Sequence, residues 1–237
     1  CIEWHWHREF EFLYVESGEI ICGIGEKQII LSEGDAIFIN SKILHRFYSL
    51  SGGVIPNFVC MPEFIAPENS LVYKKYILPI ISSNMSFQCF QIAEPWQARI
   101  IQIMIKIMET QENEKIRELS TLALLQHLWL IFYENVKLSD KEKVQTVDEA
   151  AQKRVQLMMQ YIHENYNHEM SLDEIASHIG ISKSTALNLF QRFIHTTPVS
   201  YLIGYRLQAA SWLLKNTNKK VKSIAYESGF HNVDYFC

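Results

Sequence analysis

Residues 175–181 read Ile-Ala-Ser-His-Ile-Gly-Ile, and residues 224–230 read Ile-Ala-Tyr-Glu-Ser-Gly-Phe. The shared pattern I-A-x-x-x-G-[IF] recurs with every matched position offset by 49 residues. A pattern repeated in register constrains a fold more than a single motif does, because both copies must form the same supersecondary unit. Ile and Ala supply an apolar helix face, Gly takes the turn that ends the helix, and an apolar residue follows. That is how a helix-turn-helix is built. Two such units in one chain point to DNA.

The first unit can be read in detail. Ser171 caps a helix beginning at Leu172, and Glu174 completes a capping box. Gly180 makes the turn, Ser182 caps the next helix, and Ser182–Phe193 reads as the recognition helix. Ala186, Leu189, Phe190 and Phe193 form its buried face. Lys183, Ser184, Thr185, Asn188 and Arg192 point outward, with Leu187 at the boundary. Asn188 suits bidentate reading of adenine N6/N7, while Lys183 and Arg192 suit phosphates. In the second unit the corresponding helix begins near Asn232, with Val233 and Asp234 as its candidate base readers. A plain helical bundle with a Gly turn explains one unit alone, but it does not explain the repeat.

Charge follows the same division. Residues 151–237 carry nine Lys+Arg against six Asp+Glu, a net +3, whereas residues 1–150 carry 13 against 20, a net −7. The C-terminal part tolerates a phosphate backbone and the N-terminal part repels one. Hydrophobic residues make up 48% of the chain, enough for a packed core. The longest apolar stretch, Leu122–Tyr133, is interrupted by Gln126 and His127 and is shorter than the about 20 residues a membrane helix needs. No export signal opens the chain, and the five cysteines are scattered without a C-x-x-C pair. Reduced thiols, a cytoplasmic location and no membrane partner are expected. The chain starts with Cys1 in a strand-like run and stops at Cys237 inside a helical pattern, so it reads as truncated at both ends.

Residues 3–60 alternate with period two. Trp4, Trp6, Phe10, Phe12 and Tyr14 share one parity, and His5, His7, Glu9 and Glu11 the other. Turns at Glu16–Glu19, Gly25–Gln28 and Ser32–Asp35 separate further short strands, as in a barrel or sandwich. From Glu94 the period becomes helical: Trp96, Ile100, Ile103, Met104, Ile107 and Met108 lie on one helix, and Leu119, Leu122, Leu125, Leu128, Trp129 and Phe132 on a second, about 115–135. Both are apolar on more than one face. Burial against the strands and a homodimer interface are equally good accounts of that surplus. The expected organisation is α+β and multidomain: a β-barrel at 1–92, a helical dimerisation segment at 93–136, a linker at 137–151, and an all-α double helix-turn-helix domain at 152–237.

The C-terminal motifs resemble the arabinose-regulator (AraC/XylS) family of bacterial transcription regulators. The matching residues run from Leu172-x-x-Ile-Ala-x-x-x-Gly-Ile-Ser182 through Phe190, Thr197-Pro198, Tyr201, Arg206-Leu207, Ala210 and Leu213-Leu214 to Ile224-Ala225-x-x-x-Gly229-Phe230 and Tyr235-Phe236. The family implies two helix-turn-helix units joined by a long helix, here about 199–216, so that both reading helices meet one face of double-stranded DNA. The family's usual Arg in the first reading helix is Asn188 here, and its usual Leu before it is Ala186.

The N-terminal part resembles the cupin family. His5-x-His7-x-x-x-Glu11-x6-Gly18 matches its first motif and Gly34-x10-His45 its second, with the usual Pro and Gly replaced by Asn40 and Lys42. His5, His7, Glu11 and His45 then bind a divalent transition metal (Zn, Mn, Fe or Ni), line an effector pocket, or decorate a polar strand face. The combined resemblance implies a regulator that responds to a small-molecule effector such as a sugar, acts as a homodimer and partners RNA polymerase. The competing class is a metal-dependent cupin oxygenase or isomerase, which leaves the repeat unexplained.

Overall fold

In a computed structural model, residues 2–112, 115–137 and 147–230 are described, with backbone only at 147–149. Two units separate, Cys1–Val144 and Gln145–Cys237. Among the described residues no helix is long and apolar enough to cross a membrane.

The first unit is built on two antiparallel sheets. One has the order β1 (Ile2–His5), β6 (His45–Tyr48), β3 (Ser17–Ile24), β4 (Lys27–Ser32), with β7 (Gly53–Val54) pairing β3. The other has the order β8 (Asn57–Cys60), β2 (Phe10–Tyr14), β5 (Ala36–Ile39), β9 (Phe87–Phe90). The alternation in 3–14 does not belong to one strand. The chain leaves the first sheet after His5 and enters the second at Phe10, because His45 pairs with His5 while Ile39 pairs with Glu11.

Both faces of the second sheet are covered, which is why β5 is buried at every position. Leu13, Ile37 and Ile39, with Val15 just beyond β2, pack with Ile20, Cys22, Leu31 and Phe47 of the first sheet. Phe10, Phe12, Phe38 and Phe90 pack on the other side with α3 (Pro95–Thr110) and α4 (Arg117–Asn135). Trp129 stacks on Phe10 with ring centroids 4.8 Å apart and donates its indole N–H to the Tyr76 carbonyl. Between strands and helices lie α1 (Pro62–Ile65), a π-helical turn at Tyr73–Ile77, and α2 (Leu78–Ile81), all absent from the reading of the sequence.

That burial accounts for part of the apolar surplus of 93–136. Leu125 and Leu128 are 2% and 0% exposed within a single chain, so they belong to its own core. Leu119 and Leu130, at 71% and 56%, are the exposed large apolar residues of α4.

The second unit is helical: α5 (Val147–Asn165), α6 (Leu172–His178), α7 (Lys183–Ile194), α8 (Pro198–Asn216) and α9 (Val221–Glu227). Helix α5 starts inside the expected linker 137–151. Ala150 and Ala151 are strong helix formers, and Ala151 is buried against the rest of the unit.

The repeat is a repeat of backbone geometry. After α6, Gly180 has φ +69°, with N–H bonds from Gly180 to Ser177 and from Ile181 to Ala176. After α9, Gly229 has φ +84°, with N–H bonds from Gly229 to Tyr226 and from Phe230 to Ala225. These paired bonds form a Schellman termination in both copies, which needs a left-handed residue at the glycine. Ile175, Ala176, Ile224 and Ala225 are all buried.

Candidate functional site

Four side chains converge from the two sheets. His5 ends β1, His7 lies in the crossing segment, Glu11 sits on β2 and His45 opens β6. One potential ligand atom from each lies within 4.8 Å of all the others. Glu11 and His45 are almost fully buried, at 2% and 1% exposure, while His5 and His7 are half-buried.

The rings are held from behind. The Nδ1 atoms of His5, His7 and His45 face the carbonyls of Glu3, Glu9 and Ile43 at 2.8, 3.2 and 2.8 Å. A carbonyl only accepts, so each Nδ1 carries the proton and each Nε2 is turned to the cluster. Oε2 of Glu11 lies 2.8 Å from Nε2 of His45 and 3.2 Å from Nε2 of His7, while Oε1 accepts from Asn57 at 2.7 Å. A carboxylate also only accepts. A cation must therefore hold these contacts together, either a proton on the imidazole or a metal ion among the Nε2 atoms. Burial opposes charge on Glu11, but hydrogen bonds from His45, His7 and Asn57 outweigh it and keep the carboxyl well below its usual range. The hydrogen bond to Glu11 raises His7, against the cost of its burial. Burial and neighbouring His45 lower His5.

The donor set fits a transition metal. Three imidazole Nε2 atoms and one carboxylate, with the far nitrogens anchored, are what such an ion takes. Metal–ligand bonds of about 2.0–2.2 Å place tetrahedral ligand atoms about 3.3 Å apart, so the widest pair here must draw in.

Asn57 has no counterpart in the sequence motifs. It comes from edge strand β8, 46 residues beyond Glu11. It also lines a groove of about 680 Å³ with Phe58, Met61, Phe64, Ile107 and Met108. The positions of the second cupin motif that depart from the family have visible consequences. The Asn40 amide donates to the Ile80 and Met85 carbonyls, tying the β5–β6 connection to the end of α2. Lys42 adopts φ +62°, the conformation a glycine takes without strain.

In the second unit, Ser171 and Glu174 form the expected capping box, and the Ser182 hydroxyl caps α7 by accepting from the Thr185 N–H. Ala186, Phe190, Phe193 and Ile194 are the buried face of α7, while Leu189 is half-buried. Lys183, Ser184, Leu187, Asn188 and Arg192 are exposed, as a reading face requires. Thr185 is half-buried and its hydroxyl bonds Ser182 at 2.9 Å, which makes it part of the cap. Lys183 pairs with Asp173 at 3.2 Å, and the Arg192 guanidinium lies over Phe193. Gln191, three residues after Asn188, is also exposed on this helix. Asn232, Val233 and Asp234 lie outside the described residues.

Known families match both parts of the chain: a helix-turn-helix domain over residues 154–237 and a cupin domain over 2–54. The HTH-type transcriptional regulator YdeC of Bacillus subtilis is 26% identical over 237 residues, covering 98% of this chain and 79% of its own. The HTH-type transcriptional activator RhaS of Escherichia coli is 22% identical, covering 98% and 81%. A solved structure of ToxT from Vibrio cholerae aligns over 99% of this chain and 86% of its own, with a TM-score of 0.49 and 13% identity. The relatives named by sequence are transcriptional regulators and not enzymes.

Proposed function

As an AraC-family helix-turn-helix transcriptional regulator with an N-terminal cupin domain, the chain acts on DNA and is no enzyme, and we propose that a small molecule bound at His5, His7, Glu11 and His45 sets its DNA affinity. One observation carries this reading: a carboxylate and an imidazole, 2% and 1% exposed, sit beside an apolar inter-sheet core. Burying charge there costs stability unless every partner is in place, and apolar residues would pack as well without that cost. A sugar, rich in hydroxyls, offers the donors and acceptors this cluster can use. A divalent transition metal is the second reading, favoured by the three anchored Nδ1 atoms. The active species is a homodimer, for which the exposed stripe of α4 through Leu119 and Leu130 supplies an apolar face.

The test is DNA binding by fluorescence anisotropy, with a panel of sugars and with Zn²⁺, Mn²⁺, Fe²⁺ or Ni²⁺. One class should change the apparent Kd by about 5- to 150-fold, the usual range of coupling between two sites. A His5→Gln/His7→Gln double variant should lose that response and keep its ligand-free DNA affinity. Unchanged affinity across both panels would overturn the proposal. A response that survives the double variant but is lost in Met108→Trp, which fills the β8 groove, would move the effector there.

A further inference from the structure

The exposed strip of α7 is narrower than its list of polar residues implies. Each residue of a helix turns by about 100°, so Ser184, Asn188 and Gln191 fall in the middle of the strip opposite Ala186, Phe190 and Phe193. Leu187 lies on one margin and Arg192 on the other. Thr185 is held by the Ser182 cap, and Lys183 is drawn toward Asp173. The middle of the strip therefore presents one hydroxyl and two carboxamides.

From this geometry we propose that Gln191 is a second base-reading residue, and that the first half-site is rich in A·T pairs. This rests on the DNA-binding reading of the second unit and adds the sequence class that the unit selects. A carboxamide pairs with adenine by donating to N7 and accepting from N6, a bidentate match that both Asn188 and Gln191 can make. The two residues are three apart, about 4.5 Å along the helix, against about 3.4 Å between stacked base pairs. They address neighbouring pairs rather than the same one. Leu187, 36% exposed on the margin beside them, offers the apolar contact that a thymine methyl group favours. Arg192 on the other margin stays near the phosphates.

Binding-site selection with the 237-residue chain, followed by the same selection on variants, tests the assignment. The wild-type chain should enrich sites with adenines at two neighbouring positions. Asn188→Ala and Gln191→Ala should each lose preference at one position, a different one in each case, by about 5- to 150-fold against the wrong base. Gln191→Glu should exchange adenine for cytosine at its position, because a carboxylate accepts from cytosine N4 and cannot donate to N7. A residue that only supports the fold cannot make that exchange, and thermal melting confirms that the variants remain folded. A Gln191→Ala profile unchanged from wild type, or weakened equally at every position, would overturn the role of Gln191 and leave the DNA-binding reading standing. A wild-type chain that selects no sequence would overturn both.

Discussion

The two repeat glycines look interchangeable in the sequence, yet they sit in different surroundings. A Cβ on Gly180 meets nothing within 4 Å, so Gly180→Ala adds only the strain of a left-handed φ, about 1 kcal/mol. A Cβ on Gly229 meets the Tyr166 carbonyl and lies 2.7 Å from Nε of Arg206. Arg206 itself donates to the Tyr166 and His168 carbonyls, each at 2.7 Å. Gly229→Ala therefore also displaces this clamp and should cost about 2–4 kcal/mol, readable in urea unfolding of the second unit. Equal costs at the two sites would refute the distinction. His163 gives a pH prediction. Its ring stacks on Tyr205 at 4.2 Å and shares a 2.8 Å hydrogen bond with the Tyr201 hydroxyl, and burial lowers its pKa below 6.5. The unfolded chain then binds a proton that the folded unit resists. Stability is full above pH 6.5 and falls as pH drops toward the lowered folded value. His163→Phe should flatten that slope in melts taken between pH 7 and pH 5.

At the scale of elements, the helical pair shows what periodicity can and cannot reveal. The starts and ends of α3, α4 and α8 were legible to within about two residues, because apolar spacing and Pro at the first turn of α3 and α8 mark them. Which partner each face meets was not legible, since Leu125 and Leu119 are the same residue type on one helix. The histidine cluster shows the same limit. Its four motif residues were readable, but the crossing from one sheet to the other after His5 was not, because period-two alternation continues through it. Asn57 was unreadable too, as its role comes from the register of β8 against β2. Leu125→Asp or Leu128→Asp should abolish the cooperative melt of the first unit, since each places a charge in a closed core at a cost of several kcal/mol. Leu119→Glu with Leu130→Glu should retain the melt and halve the mass by light scattering. A retained dimer would remove α4 as its interface.

For the molecule as a whole, the two units differ in what holds them together. The first spends its apolar surface on a sheet covered on both faces, and its buried polar side chains among the described residues are Glu11 and His45 of the cluster and Asn40 beside it. The second has helices fixed by caps and terminations that the sequence states openly, which is why its architecture was the more readable of the two. Helix α8 joins the two units of the repeat and, at 19 residues, is about 28 Å long. On the proposal that both units of the repeat contact DNA, it turns operator spacing into a matter of phase. One residue inserted in its exposed surface rotates everything beyond it by about 100° and advances it by about 1.5 Å. On the DNA side, five base pairs added between the two subsites present the wrong face, and footprints should lose protection of the distal subsite. Ten added pairs restore the face at a distance greater by about 34 Å, which a rigid rod cannot stretch to cover. A protein of this build tolerates changes in what each subsite says far better than changes in where the second one begins.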